Sequence, residues 1–253
     1  MTAPIPSLRP DAGSRSARAS VVVPTYNRSA SLLRALRSLA AQIFVPDEVV
    51  VVDDHSVDDT ARVCEIAMRD GLPFEFRYVR QRRNLGPAAA RNLGVAHARN
   101  GVILFTDDDC EPEPQWAGEL VKTLELPAMP AGVGGPIVSA EPGQIGLFFD
   151  HHRLLDPKFV GPVARPAYLV TANACYRREW LLRVGGFDED LRRAGGEDPG
   201  LSFKISAAGG RLAFAPGAVV RHHYPTRLRS IVRTFWNYGY GGCHVARAHP
   251  NPE

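Results

Sequence analysis

The stretch SVVVPTYNRSASLLRALRSLAAQIFVPDEVVVVD (residues 20–53) decides the fold, because two valine-rich runs enclose a polar loop and a helical pattern. The runs at 21–23 and 49–52 predict strands buried on both faces. Between them, leucines recur on one face with helical spacing, at Leu32, Leu33, Leu36 and Leu39. A strand, a helix and a second strand in this order predict a parallel βαβ unit with a right-handed crossover.

The alternation of strands and helices continues beyond this unit. Residues 56–59 resemble a capping box before a second helix that ends near Gly71. A third strand is predicted at 74–79 and a fourth at 102–105, and Pro87 suits the first turn of the helix between them. We therefore predict an α/β fold with a Rossmann-like, mostly parallel sheet flanked by helices. Ligands of such sheets bind at the carboxyl ends of the strands, which here are followed by residues 24–28, 53–54 and 106–109.

Both ends of the chain differ from this pattern. Residues 1–19 are rich in Pro, Ser, Ala and Arg and lack hydrophobic periodicity, which predicts a flexible tail. Beyond about residue 132 the alternation becomes irregular, and helical patterns return at 179–184, 199–208 and 228–236. The segment WNYGYGG (236–242) is compatible with a ligand-binding loop or with an aromatic terminus, and for Trp236 we favour packing on the core.

Composition excludes several classes of protein. The formal net charge of +3, from 30 basic and 27 acidic residues, is too balanced for a nucleic-acid-binding surface over the whole molecule. The 4 cysteines form no CxxC, so we expect neither a zinc site nor a disulfide framework, and reduced thiols suit the cytoplasm. Neither a transmembrane segment nor a signal peptide is predicted. Peripheral contact with a membrane and the oligomeric state stay open.

The strongest chemical signal is GVILFTDDDCEP (residues 101–112), in which an apolar strand ends in consecutive aspartates. Neighbouring carboxylates repel one another unless a cation neutralises them, and Mg²⁺ is often held by one or two carboxylates together with substrate phosphates. An acidic loop or a helix N-cap would give the same pattern. This segment alone leaves both interpretations open.

A second acidic turn follows the buried strand at 49–52. Asp53 is best explained as a turn or cap residue, whereas Asp54 can accept hydrogen bonds from a base or a ribose. Because both acidic turns are expected at the same edge of the sheet, they favour one shared site.

With these segments the chain resembles the family 2 inverting glycosyltransferases, which have the A-type glycosyltransferase fold. The resemblance covers about residues 20–224 and rests on SVVVPTYNR (20–28), VVVVDDHSVDDT (49–60), RRNLGPAAARNLG (82–94), FTDDDC (105–110) and GGFDEDLRRAGGEDPGLSFKI (185–205), in that order. It implies a single catalytic domain at 20–225, with a nucleotide-binding half at 20–110 and an acceptor-binding half at 111–225. Residues 226–253 would form a C-terminal helical extension.

The resemblance implies a nucleoside-diphosphate sugar as donor. Residues 24–28 look like the loop that lines the nucleotide base, Asp54 like the carboxylate that reads it, and 82–84 like the segment that closes over the nucleotide. Arg91 would lie beside the sugar and diphosphate, although a structural ion pair explains it equally well. The expected nucleotide-binding residues are Pro24, Thr25, Tyr26, Arg28, Asp54, Arg83, Asn84, Arg91, Asp107 and Asp108.

The resemblance also implies a Mg²⁺ or Mn²⁺ ion. Asp107 and Asp109 match the outer carboxylates of the family's Asp-x-Asp motif, and Asp109 is expected to be the direct ligand. His222 is a further candidate, because some related enzymes have a metal-binding histidine near this point. Many members carry another aspartate where this chain has Cys110.

Glu197 and Asp198 match the family's acceptor-binding Glu-Asp pair, in which the aspartate is the catalytic base. Since Pro199 follows, Asp198 is equally compatible with a helix N-cap. Many relatives have a larger apolar residue at the position of Pro199.

The expected reaction is inverting transfer of one sugar, from UDP or dTDP, to a hydroxyl of a small molecule or a lipid-linked saccharide. The QxxRW motif and membrane helices of the processive synthases do not occur in the sequence. Two alternatives stay open: a Mg²⁺-dependent nucleotidyltransferase, and a catalytically inactive protein that binds sugar nucleotides. A dehydrogenase is disfavoured because no GxGxxG follows a strand.

Overall fold

Valine-rich strands form the centre of the main sheet in the computed structural model, which describes residues 17–141, 143–152, 154–155, 157, 159–160, 165–225 and 227–249. The first half consists of β1 (Ala19–Thr25), α1 (Ser29–Ala40), β2 (Glu48–Asp53), α2 (Thr60–Asp70), β3 (Glu75–Arg80), α3 (Pro87–His97) and β4 (Val102–Phe105). The predicted tail lies outside the described residues except for 17–19, and Ala19 already belongs to β1.

The second half contains shorter strands. It consists of β5 (Cys110–Pro112), α4 (Trp116–Leu124), β6 (Gly132–Gly134), β7 (Ile137–Ser139), α5 (Gln144–His152), β8 (Phe159–Val160), β9 (Arg165–Pro166), β10 (Ala174–Arg177), α6 (Arg178–Arg183), α7 (Glu197–Ala207), β11 (Leu212–Phe214), β12 (Val220–His222) and α8 (Leu228–Ala248). A short 3₁₀ turn at Thr171–Asn173 precedes β10.

Seven strands form the main sheet in the order β11-β6-β10-β4-β1-β2-β3. β10 runs antiparallel to both of its neighbours, and the other pairings are parallel. The predicted single α/β domain with a mostly parallel sheet is therefore confirmed. A second sheet, β5-β12-β7, brings His222 opposite Cys110.

Close packing around β1 explains one of the glycines of the predicted motifs. The side chains of Val21, Val22 and Val23 are fully buried between layers of helices. A Cβ atom on Gly94 of α3 would lie 2.3 Å from Cγ1 of Val22, so only glycine lets this helix approach the strand so closely. The approach places the first turn of α3 beside the carboxyl ends of β1 and β2.

The structure corrects three local predictions. The capping box at 56–59 is wrong, because the N-cap residue Asp59 makes no side-chain hydrogen bond to α2 and the Ser56 hydroxyl instead accepts a hydrogen bond from the Asn27 N–H. The glycine-rich segment 236–242 is neither a loop nor a terminus but part of the long helix α8. Trp236, expected to pack on the core, is 70% exposed.

A close approach explains one of the glycines of α8. A Cβ atom on Gly241 would lie 1.8 Å from the carbonyl oxygen of Gly195, so a larger residue would push α8 away from the loop before α7. Gly195 and Gly196 have positive φ angles of 130° and 94°, which glycine tolerates best. The glycines of the two segments thus hold α8 against the N-terminus of α7.

Candidate active site

A cleft of about 580 Å³ lies at the carboxyl ends of β1, β2 and β4. It is the place where the parallel topology brings the segments after these strands together. The predicted nucleotide-binding residues that line it are Pro24, Thr25, Tyr26, Arg28, Asp54, Asn84, Arg91, Asp107, Asp108 and Asp109, the last of them predicted as a metal ligand. Arg83 does not line this cleft and is exposed on the neighbouring loop.

Asp108 is buried beneath the floor of the cleft. Its carboxylate accepts hydrogen bonds from Thr25 Oγ1 at 2.8 Å and from the Arg28 guanidinium at 3.0 Å. Burial, followed by the neighbouring charge of Asp109, raises the pKa of Asp108 to about 7. Asp108 therefore ties the loop after β1 to the acidic turn.

Asp109 is the most strongly compensated carboxylate of the turn. It forms an ion pair with Arg28, and Nε2 of His222 lies 3.6 Å from Asp109 Oδ1. Burial acts to raise the pKa of Asp109, but the charges of His222 and Arg28 outweigh it and hold the pKa below its ordinary value. An ionised carboxylate is the form that binds a cation.

Ligand atoms of Asp109, Cys110 and His222 lie within 4.8 Å of one another. Nδ1 of His222 is buried and has no hydrogen-bond partner among the described residues. Burial raises the pKa of the Cys110 thiol well above its usual value. A carboxylate and an imidazole, completed by diphosphate oxygens, fit a divalent cation such as Mn²⁺.

Asp107, the second predicted metal ligand, does not join this group, because its carboxylate pairs with the guanidinium of Arg91 at 2.7 Å. The neighbouring histidine, His223, bonds to Glu111 and contacts Glu141 instead. Of the two carboxylates predicted as ligands, only Asp109 lies in the candidate cation site.

Arg91 is buried between the acidic turn after β4 and the N-terminus of α7. Besides Asp107, its guanidinium pairs with Glu197 at 3.1 Å, and both side chains of this second pair are 5% exposed. Burial acts to lower the pKa of Arg91, but the charges of Asp107, Asp198 and Glu197 raise it overall, so the side chain stays charged. The ion-pair interpretation of Arg91 is confirmed, and its contact with the nucleotide stays a prediction.

Asp54 is buried at the end of β2 and holds the loop before α3. Its oxygens accept hydrogen bonds from the N–H groups of Leu85 and Gly86 at 2.7 and 2.8 Å and from the side chain of Gln81 at 2.7 Å. Burial raises the pKa of Asp54, against the effect of these hydrogen bonds. The carboxylate thus fixes the loop that carries Asn84, whatever it contributes to a bound base.

Asp198 does not cap α7. The helix begins at Glu197 after Gly196, with no side-chain cap, so the N-cap interpretation is wrong. Instead, the carboxylate accepts hydrogen bonds from the N–H and the hydroxyl of Thr171, at 3.0 and 2.6 Å. Desolvation, followed by the charge of Glu197, raises the pKa of Asp198 to about 7, which suits a group that exchanges protons near neutrality.

A second cavity of about 270 Å³ lies beside Asp198 and Glu197. Much of its wall is apolar and includes Leu154, Leu155, Val170, Ala172 and Pro199. It shares five lining residues with the larger cleft, namely Arg91, Asp107, Ala194, His222 and Tyr238. The two cavities therefore meet where the acidic turn and the N-terminus of α7 converge.

Two helices, α5 and α8, also line the cleft, and of these the sequence indicated a ligand-binding role only for 236–242. Their contribution, with the segment after β12, consists of Phe149, Tyr224, Ser230, Arg233, Thr234, Asn237 and Tyr238. Phe149 stacks on Tyr224 at 4.3 Å between ring centroids. The amphipathic pattern of 228–236 was the available signal, but it does not say which surface the helix covers.

Such a cleft, with acidic strand ends at a sheet edge and two adjoining cavities, is typical of α/β enzymes that bind nucleotides. The model of Glycosyl transferase family 2 matches residues 20–181, and that of Glycosyl transferase family group 2 matches 146–248. The chain belongs to glycosyl transferase family 2, as the sequence segments predicted.

Individual relatives agree with this assignment. The pre-mycofactocin glycosyltransferase of Mycobacterium tuberculosis is 30% identical over 251 residues, which are 96% of this chain and 50% of the relative, so the chain spans about half of that protein. The succinoglycan biosynthesis protein ExoM of Rhizobium meliloti is 32% identical over 218 residues, 83% of this chain and 68% of the relative.

A solved structure shows the same fold with ligands bound. It is the mannosyltransferase PcManGT from Pyrobaculum calidifontis in complex with GDP-Man and Mn²⁺, with a TM-score of 0.69 and 26% identity. The match covers 86% of this chain and 60% of that one. Within the described part of the chain, none of the helices has the length and apolar character needed to span a bilayer.

Proposed function

We propose that this chain transfers one sugar at a time from a nucleoside diphosphate to an acceptor hydroxyl, with inversion at the anomeric carbon. The observation that carries the proposal is the junction of the two cavities, with the acidic turn on one side and Asp198 on the other. Direct transfer needs both substrates at one point, because the reacting atoms must lie in contact.

On the donor side, we propose that the nucleotide lies along the loop after β1 and the loop fixed by Asp54. A divalent cation held by Asp109 and His222 would neutralise the departing diphosphate as a Lewis acid. The carboxylates favour positive charge at this position, because the guanidinium of Arg28 pairs with both Asp108 and Asp109. We infer that Asp107 faces the nucleotide rather than the cation, because Arg91 binds its carboxylate.

On the acceptor side, we propose Asp198 as the general base. The acceptor hydroxyl gives its proton to the carboxylate while its oxygen forms a bond to the anomeric carbon. The bond from that carbon to the diphosphate breaks, and the electron pair leaves with the diphosphate. The hydrogen bonds from Thr171 hold the carboxylate in place, and Glu197 is held by Arg91 beside it. One displacement from the opposite face inverts the centre.

The donor base and the metal are finer proposals. The family resemblance favours UDP or dTDP with Mg²⁺ or Mn²⁺, whereas the mannosyltransferase from Pyrobaculum calidifontis holds GDP-Man with Mn²⁺. The acceptor is proposed to be a small molecule or a lipid-linked saccharide. The cysteines at 64, 110, 175 and 243 are unpaired, which supports a reducing compartment such as the cytoplasm.

A donor screen tests the function directly. UDP-, dTDP- and GDP-sugars are incubated with the protein and Mn²⁺ or Mg²⁺, and released nucleoside diphosphate is measured by mass spectrometry. The proposal expects metal-dependent release from at least one donor and little release by Asp198→Asn. Nucleotide binding without release from any donor, with acceptors of both proposed kinds present, would favour the inactive binding protein.

A further inference from the structure

The outward face of α8 carries a row of apolar side chains from Leu228 to Tyr240 that is not needed by the proposed reaction. Residues at intervals of four form a stripe in which Leu228, Val232, Trp236 and Tyr240 are 74, 61, 70 and 56% exposed. Because four residues make slightly more than one helical turn, these side chains lie on one side of α8. Phe235, 40% exposed, widens the stripe.

The opposite face of α8 is fixed to the domain. Ser230, Thr234 and Asn237 line the cleft, while Gly241 and Val245 are buried against the region of α7. The helix therefore has one face committed to the catalytic domain and one apolar face exposed to solvent. Exposed apolar surfaces of this kind mark contacts with membranes or proteins.

The charges of α8 distinguish between these partners. The helix carries Arg229, Arg233 and Arg247 and no aspartate or glutamate, and Arg227 precedes it. In helical projection Arg229 and Arg247 lie about 100° from Leu228, on the same side of the helix as the apolar stripe. A helix with Trp, Phe and Leu on one side and arginines beside them has the composition of a segment that lies in a membrane interface.

A neighbouring helix extends the apolar surface. Phe149 of α5 stacks on Phe235 of α8 at 6.0 Å between ring centroids. Leu147 and Phe148, on the same short helix, are exposed. The helix α5 therefore adjoins α8 at Phe235 and adds two exposed apolar side chains of its own.

We propose that the outward face of α8, extended by α5, docks on an anionic lipid surface. The aromatic and aliphatic side chains would enter the headgroup region, and the arginines would pair with lipid phosphates. The inner face of α8 lines the cleft, so docking would place the cleft beside the headgroups. Given the proposed function, this position suits an acceptor that is anchored in the membrane.

Vesicle co-sedimentation tests the docking. The whole chain is mixed with vesicles of phosphatidylcholine alone and of phosphatidylcholine with phosphatidylglycerol. We expect binding to the anionic vesicles, reduced about ten-fold or more by Trp236→Ser and about five-fold for each arginine replaced in Arg229→Gln and Arg247→Gln. The matched control is Ile43→Ser, which removes a side chain 75% exposed elsewhere on the domain and should leave binding unchanged.

Three results would overturn the docking proposal. They are absence of binding to anionic vesicles, equal loss in Ile43→Ser and Trp236→Ser, and a dimer in analytical ultracentrifugation that Trp236→Ser dissociates. Such a dimer would show that the outward face of α8 binds a second copy of the chain. Vesicle binding needs no turnover, so a protein that binds vesicles but releases no nucleotide would contradict only the proposed enzymatic function.

Discussion

The donor and acceptor sides of the site are built in different ways. The donor side consists mainly of three turns, each within a few residues of the end of β1, β2 or β4. The acceptor side gathers residues from the segment before β10, from the N-terminus of α7, from β12 and from α8. The order of the strands alone thus brings the donor side together, whereas the acceptor side depends on packing between segments that are distant in sequence. Arg91 joins the two through Asp107 and Glu197.

The largest effect is expected on the acceptor side, from Asp198→Asn. The amide preserves the shape of the side chain but cannot take a proton, so turnover should fall by about 10²–10⁴-fold while melting temperature and nucleotide affinity change little. Steady-state kinetics and thermal unfolding measure the two parts. Asp190→Asn, at an exposed position before α7, is the matched control and should keep its activity.

The pH profile of the wild type sharpens this test. Because the pKa of Asp198 is about 7, its carboxylate is ionised above that pH and protonated below it. A base must be ionised, so turnover should fall as the pH drops through about 7. Full transfer by a folded Asp198→Asn protein would remove the residue from the mechanism.

The next largest effect is expected from Arg91, whose ion pairs link the donor and acceptor sides. Arg91→Met would leave the carboxylate of Glu197 buried without a counter-charge and that of Asp107 unpaired. Removing one partner of a buried ion pair costs about 3–5 kcal/mol in the free energy of unfolding, which urea denaturation measures. Arg99→Met, which breaks an exposed pair with Glu75, is the control and should cost less than about 1 kcal/mol. Similar losses in the two variants would contradict a special role for the buried pair.

A smaller effect is expected on the donor side, from Asp54→Ala. The change leaves the N–H groups of Leu85 and Gly86 without their acceptor, so nucleotide affinity should weaken by about 1–3 kcal/mol and amide exchange at these two positions should speed up. Calorimetry and hydrogen exchange measure both. Asp47→Ala, just before the opposite end of the same strand, leaves the Ala19 N–H without its acceptor and should cost about 1–3 kcal/mol of stability while nucleotide binding stays intact. If Asp54→Ala binds nucleotide as tightly as the wild type, Asp54 only stabilises its turn and does not contribute to nucleotide binding.

The same contrast explains what could be predicted from the sequence. The local sequence pattern correctly predicted three strands, at 21–23, 49–52 and 102–105. It also correctly predicted the helix that begins at Pro87. The carboxyl ends of parallel strands lie at the same edge of a sheet. The sequence alone therefore predicted that Asp54 and the acidic turn line the same cleft.

Features that depend on tertiary packing were missed or misinterpreted. Asp198 before Pro199 has the local pattern of a cap, but Thr171, distant in sequence, binds its carboxylate. The glycines of 236–242 indicated a loop, but they lie within α8, and at Gly241 a larger residue would clash with Gly195. Trp236 was expected in the core because periodicity reveals that a helix has an apolar face, but not whether the domain covers that face.

We propose that nucleotide binding depends on a cation at the end of β4, and titration calorimetry of UDP, dTDP and GDP tests that claim most directly. With Mn²⁺ present, at least one nucleotide should bind tightly, and EDTA or the variant Asp109→Ala should abolish most of that affinity, because the diphosphate charge would face Asp107 to Asp109 without a bridging ion. Equal affinity with Mn²⁺ and with EDTA, or in Asp109→Ala and the wild type, would contradict the assignment of the acidic turn as a metal site.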